Sequence, residues 1–213
     1  MPSLTCSVGL PPTWLQHAPG NHFMEVPVLE DSYDYDVVAD LFNATMGTRN
    51  VRIFSIDRIQ NVFLWKKYAS ACKLLRERVG YCNEKLVFHG TRDNDPMSIA
   101  RGTRGLDVIR SEWGAYGKGV YLAKDAIVSH GYRHMDAQGF CQMLVVQVAL
   151  GDISYRRSGT VSPPVKPQEE GGLAVSYDSI QGELRGSPTY IVHNNDQMYP
   201  AYVITYRDDA VAH

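Results

Sequence analysis

The chain has 213 residues, 44% of them hydrophobic and 21% charged, with a formal net charge of −2. These are ordinary globular values for a chain long enough to bury its own core, and they exclude a disordered sequence. A near-neutral chain has no global field to draw it onto nucleic acid, so nucleic-acid contact is not expected. No run of about 18 apolar residues and no signal-peptide pattern occurs, so the expectation is a soluble protein of the cytoplasm or nucleus with no membrane contact.

Residues 1–13, with Pro2, Pro11 and Pro12, read as an extended lead-in to a single domain over 14–213, with Trp14 placed to pin it down. From Ser32, an N-cap hydroxyl, first-turn acids, apolar Val38, Leu41 and Phe42 on one face and a terminating Gly47 spell a helix. Val51 to Ile59 reads as a strand, and Asn61 to Gly80 as a second helix with Leu64, Trp65, Tyr68, Cys72 and Leu75 inward. Its Lys66, Lys67, Lys73, Arg76 and Arg78 make a solvated face. A buried strand from Leu86 then ends in His89, Gly90 and Thr91, and Pro96 to Ala100 is a short helix. Gly102 to Gly117 is expected to be a mobile loop, able to act as a lid, with Arg101, Arg104 and Arg110 available near a phosphate. Val120 to Ala123 is a short strand, Asp125 the N-cap of a helix carrying Ser129 and Tyr132, and Met143 to Leu150 a central strand. A proline-rich surface loop over 156–172 follows, and Val175–Ser179, Tyr190–His193 and Tyr199–Tyr206 close the domain as strands. The tally is an α+β arrangement around a sheet core.

Chemistry concentrates in two stretches. On a helix Ser129 and Tyr132 share one face, and Tyr121 lies on the strand that feeds it. Two rings and a hydroxyl around a small volume suit a flat, amide-bearing heterocycle such as nicotinamide. Either tyrosine alone also reads as a core residue with its hydroxyl at the surface. His89, at a strand end, is placed to bond a sugar hydroxyl, and Gly90 to offer its backbone N–H and C=O to an amide.

The glycines at 114–119 match neither a phosphate-cradling nucleotide loop nor a dinucleotide fingerprint, because spacer and third glycine are missing. Cys6, Cys72, Cys82 and Cys141 form no Cys-x-x-Cys pair and no finger-like spacing with the seven histidines, so they read as reduced thiols. His130 and His134 sit four apart, but Gly131 stands where a metalloprotease motif has Glu, and no third ligand is evident. They read as a surface pair, and no metal is expected.

Taken together, Phe88-His-Gly-Thr, Gly117-Lys-Gly-Val-Tyr-Leu-Ala, Ser129 with Tyr132, Tyr190-Ile-Val and the run from Gln197 to Tyr206 resemble the catalytic domain of poly(ADP-ribose) polymerase-like ADP-ribosyltransferases. The resemblance is strongest to the mono-ADP-ribosylating branch and spans about Trp14 to Tyr206. It implies the ADP-ribosyltransferase fold, a split sandwich of antiparallel and mixed sheets flanked by helices. It also implies an enzyme that uses NAD+ as co-substrate, releases nicotinamide and transfers one ADP-ribose unit to a protein acceptor or, alternatively, to a nucleic-acid end. The chain is expected to act as a monomer.

By the same resemblance, His89 and Thr91 bond the adenosine-side ribose and Gly90 clasps the carboxamide. Tyr121 and Tyr132 sandwich the nicotinamide ring beside Ala123, and Ser129 bonds the amide oxygen. Residues 105–117 look like the family's donor loop. Where polymerases carry a glutamate, at the start of the strand Tyr190-Ile-Val, this chain has Thr189. His89, Tyr121 and Thr189 are then the residues at the catalytic centre. Threonine donates or accepts a hydrogen bond but is no base near neutral pH, so polymer elongation is not expected. The alternative reading is an inactive member kept as an NAD-binding or protein-interaction module.

Overall fold

In the computed structural model, which describes residues 9–157, 165–166 and 174–209, the branched and aromatic runs of the sequence pair into a ten-stranded sheet. The strands are β1 (Phe23–Pro27), β2 (Val51–Asn61), β3 (Glu84–His89), β4 (Trp113–Gly114), β5 (Gly117–Lys118), β6 (Val120–Ala123), β7 (His134–Met135) and β8 (Cys141–Ala149). They continue with β9 (Ile153–Tyr155), β10 (Ser179–Leu184), β11 (Ser187–Val192) and β12 (Met198–Asp208). The large sheet runs β1-β2-β12-β8-β3-β6-β11-β10-β9, with β7 beside β8, while β4 and β5 form a separate ribbon. All pairings are antiparallel except β9 with β10.

An interior strand of the sheet, β8 lies between β12 and β3. Leu144, Val146 and Val148 pack into the cluster on one face, and Cys141, Met143 and Val145 into the cluster on the other. A strand buried on both faces reads as a nearly continuous apolar run, which is the pattern of this segment. Helix α1 (Tyr33–Thr45) lays Val38, Ala39 and Phe42 against Ile56, Phe88, Val145 and Ile204. Its start is fixed by the Ser32 hydroxyl, which accepts from Tyr35 N. Helix α2 (Val62–Val79) buries Leu64, Tyr68, Cys72 and Leu75 against Ala149, Tyr199 and Ala201. Asn61 caps it and Gly80, at φ +86°, ends it in the left-handed conformation.

The sheet is nearly cut in two. The half from β1 to β3 and the half from β6 to β9 meet at one paired position, Phe88 with Ala123. Past His89, which still pairs with Leu144 of β8, the chain leaves the sheet, and a cleft opens at the split.

Several sequence expectations need correction. The lead-in is partly outside the described residues (1–8, including Cys6), as is most of the proline-rich loop with Pro163, Pro164 and Pro167. Trp14 does dock, at 5.7 Å from Trp65 and 6.1 Å from Tyr199 between ring centroids. The predicted strand at Val175–Ser179 is instead a single bridge from Ser176 to Val165, and the true strand β10 begins at Ser179. The helix after Asp125 is only α4 (Ala126–His130), so Tyr132 lies beyond it, in a turn closed by Tyr132 N donating to Ser129 O at 2.9 Å. Asp125 makes no cap bond, because the Thr45 hydroxyl accepts from Ala126 N at 3.0 Å. His130 is not a surface residue: it is 3% exposed, with Nδ1 2.8 Å from the Tyr206 hydroxyl and Nε2 3.2 Å from Asp208.

Candidate functional site

The split in the sheet forms a cleft of about 870 Å³ lined by His89, Gly90, Thr91, Tyr121, Ala123, Ser129, Tyr132 and Thr189 among others. All eight residues singled out from the sequence are therefore brought to one place. His89 ends β3 and donates from Nδ1 to the Tyr121 carbonyl at 2.8 Å. A carbonyl only accepts, so this bond fixes the proton on Nδ1 and leaves Nε2 as an acceptor. Burial lowers the His89 pKa from its ordinary value and the Tyr121 carbonyl opposes the shift, so the ring stays neutral at pH 7.

Gly90 follows, and packing requires it whatever the ligand. A Cβ there would lie 2.4 Å from the carbonyl oxygens of both Ser129 and Tyr132, so only glycine lets β3 pass against the turn after α4. That turn is locked further by Arg92 N donating to Tyr132 O at 2.8 Å. Among the described residues, the N–H and C=O of Gly90 find no hydrogen-bond partner, which fits a carboxamide that needs one acceptor and one donor. The Ser129 hydroxyl is likewise unpartnered among them, and the residue is 4% exposed. Thr91 donates its hydroxyl to Asn94 O at 2.6 Å, leaving the oxygen only as an acceptor.

Tyr121 is held by both ends. Its hydroxyl donates to Gly117 O and accepts from Tyr116 N, each at 2.8 Å, and its ring fills the space a side chain at Gly114 would need. Burial raises its pKa. Thr189 is 1% exposed and sits between Ala123 of β6 and Gly182 of β10. It is the third residue of β11 rather than the start of a strand. Among the described residues its hydroxyl reaches only the Ser187 carbonyl, at a weak 3.4 Å.

A family profile described as the poly(ADP-ribose) polymerase catalytic domain matches residues 32–208. The chain belongs to the poly(ADP-ribose) polymerase catalytic domain family. It is 33% identical to a probable poly [ADP-ribose] polymerase of Dictyostelium discoideum over 197 residues, 90% of this chain and 55% of that one. It is 31% identical to the protein mono-ADP-ribosyltransferase PARP12 of Mus musculus over 86% of this chain and 25% of that one. It is also 31% identical to the protein mono-ADP-ribosyltransferase PARP14 of Homo sapiens over 94% of this chain and 11% of that one. The chain thus spans between about one-tenth and just over half of these relatives.

Within this poly(ADP-ribose) polymerase catalytic domain, the loop over the cleft is tied down more than its composition suggested. It contains a short 3-10 turn, Val108–Arg110, and Asp107 is its anchor. Asp107 accepts from Ile109 N at 3.0 Å, Asn195 Nδ2 at 3.2 Å and Arg104 at 3.2 Å, and Asn195 in turn accepts from Val108 N. Burial raises the Asp107 pKa, but Asn195, Ile109 N and Arg104 together outweigh it and hold the carboxyl below its ordinary value. Arg104 and Arg110 line the cleft as expected, whereas Arg101 points away, paired to Glu25 at 3.2 Å and over the Phe23 ring.

Sequence reasoning missed Tyr116, Asn195, Gly182 and Arg92. Tyr116 is 3% exposed, bonds Glu183 N and O through its hydroxyl, and needs Gly182 because any Cβ there would fall 2.1 Å from its ring. Arg92 lies 4.9 Å from the Tyr132 ring centroid and pairs with Glu112 of the loop at 2.9 Å. None carries a local motif, so only the assembled fold reveals them. No helix among the described residues is long and apolar enough to cross a membrane.

Proposed function

We propose that residues 14–213 form a catalytic domain that transfers one ADP-ribose unit from NAD+ to a protein side chain and stops there. The observation that carries this reading is Thr189, a buried and non-ionisable residue lining the same cleft as His89, Gly90, Tyr121, Ser129 and Tyr132.

NAD+ lies across the split with its nicotinamide between Tyr121 and Tyr132. The carboxamide pairs with the N–H and C=O of Gly90, and the Ser129 hydroxyl donates to its oxygen. Neutral His89 accepts a ribose hydroxyl on Nε2, with the Thr91 oxygen beside it. Arg104 and Arg110 stand where the pyrophosphate passes.

The bond that breaks joins the ribose anomeric carbon to the pyridinium nitrogen. Its electron pair returns to the ring, nicotinamide leaves neutral, and the carbon becomes oxocarbenium-like. Growing a polymer means removing a proton from a sugar hydroxyl as it attacks, which Thr189 cannot assist. A carboxylate acceptor arrives already ionised and needs no base, so binding and alignment suffice. The acceptor is therefore expected to be an acidic protein side chain, and the domain is expected to act as a monomer without nucleic acid.

The same uncharged Thr189 also favours a second reading, an NAD-binding module with no transfer. Intact-mass analysis after incubation with NAD+ separates the outcomes. Increments of single ADP-ribose units support the proposal, a ladder on one site refutes the no-elongation claim, and an unchanged mass with no nicotinamide release supports the module.

A further inference from the structure

Cys72 and Cys82 are ten residues apart and carry no motif, yet the fold brings them together. Helix α2 turns Cys72 inward, the left-handed Gly80 reverses the chain, and Cys82 returns beneath the helix just before β3. The two Sγ atoms and a carboxylate oxygen of Glu84 all lie within 4.8 Å of one another. Both cysteines are buried, at 2% and 4% exposure, while Glu84 opens to solvent on one side.

We propose that Cys72, Cys82 and Glu84 form a binding site for a thiophilic divalent cation of the zinc class, separate from the NAD+ cleft. Tetrahedral coordination with Zn–S near 2.3 Å and Zn–O near 2.0–2.2 Å places ligand atoms roughly 3.5–3.8 Å apart. The trio therefore closes on one ion with a movement of about 1 Å.

The surroundings fit a ligand carboxylate. Glu84 Oε1 accepts from the Tyr68 hydroxyl at 2.8 Å and from Gln147 at 3.1 Å, and Oε2 accepts from Arg76 at 2.6 Å. Partners of this kind orient a metal-binding carboxylate and keep its geometry. Charge also balances: two thiolates and a carboxylate leave one excess negative charge on a divalent ion, and the Arg76 guanidinium cancels it. Binding releases the two thiol protons to solvent, and no oxidation or reduction takes place. The fourth position, on the exposed side of Glu84, is left for water. The bound ion ties the middle of α2, through Cys72, to Cys82 and Glu84 at the start of the strand that delivers His89.

The test is an anaerobic titration of the reduced full chain with Cd2+ and then Co2+, read by sulfur-to-metal charge-transfer absorption. The expected result is a band saturating at one equivalent, retained in Cys6→Ser, abolished in Cys72→Ser and Cys82→Ser, and shifted to at least tenfold weaker binding in Glu84→Gln. Circular dichroism reports whether each variant folds, and if the cysteine variants do not, the wild-type stoichiometry and Glu84→Gln decide. Absence of a thiolate band at one equivalent overturns the proposal, as does a band that depends on Cys6 or Cys141 instead.

Discussion

Replacing Gly90 with alanine tests the packing on which the cleft depends. The added Cβ would lie 2.4 Å from two carbonyl oxygens, those of Ser129 and Tyr132, and 2.5 Å from the Tyr132 carbonyl carbon. Carbon–oxygen contacts settle near 3.3 Å, so the turn after α4 must retreat by about 1 Å. All three opposing atoms are backbone, and no side-chain rotation relieves the overlap. Overpacking of this kind costs about 1–3 kcal/mol. At roughly 2 kcal/mol in a chain of this size, Tm falls by about 4–8 °C.

The same retreat moves Ser129 and Tyr132 away from the nicotinamide position, and a misplacement near 1 Å lowers a transfer rate by about a hundredfold. The checks are thermal denaturation and nicotinamide release from NAD+, run on the same preparation. An alanine variant that melts with the parent and releases nicotinamide at its rate would refute the account of Gly90.

Acid stability isolates His130. Burial, then Arg133 and Arg49, push its pKa down to about 4 against the opposing Asp208, so the folded state holds the ring neutral while the unfolded chain protonates near 6.5. The folded state binds fewer protons in that window, so this stability is complete above about pH 6.5 and is lost as pH falls toward 4, up to about 3 kcal/mol. Denaturant midpoints across pH 4–7 should flatten in His130→Asn relative to the parent. Tyr121→Phe strips the acceptor from Tyr116 N and the donor from Gly117 O, at a cost of about 1–3 kcal/mol, and hydrogen exchange at the Tyr116 amide should quicken. Gly182→Ala drives a Cβ to 2.1 Å from the Tyr116 ring and should loosen the β4–β5 ribbon, raising the KM for NAD+ more than it lowers Tm. An unchanged KM in that variant would separate Tyr116 from the cleft.

Elements with local causes were readable from the chain itself. Ser32, the acids behind it and Gly47 bound α1 because caps act within a turn, and β8 announced itself by burial on both faces. His89, Gly90 and Thr91 were found because they lie at the end of β3, where side chains leave the core, and Ser129 and Tyr132 by their spacing, whereas Ala123 and Thr189 belong to strands and came only from the family resemblance. Elements shaped by distant partners were not. The β10 sequence Ser-Ile-Gln-Gly-Glu-Leu, in which no element was assigned past Ser179, is interrupted by Gly182, and the glycine is there to admit Tyr116. Helix α4 is capped by Thr45, far back in the chain, and stops before Tyr132, so spacing placed Tyr132 on the wrong element but in the right cleft. His130 reads as exposed until Tyr206 and Asp208 arrive on the last strand. Convergence of Cys72 and Cys82 depends on the reversal at Gly80, and spacing rules for metal motifs do not cover it.

The most direct test of the central claim is a crystal structure of the domain with a non-hydrolysable NAD+ analogue. The account predicts a nicotinamide ring between Tyr121 and Tyr132, its carboxamide on the Gly90 backbone and the Ser129 hydroxyl, with Thr189 facing the anomeric carbon. An analogue seated elsewhere, or a cleft closed by the protein's own side chains at saturating analogue, would contradict it.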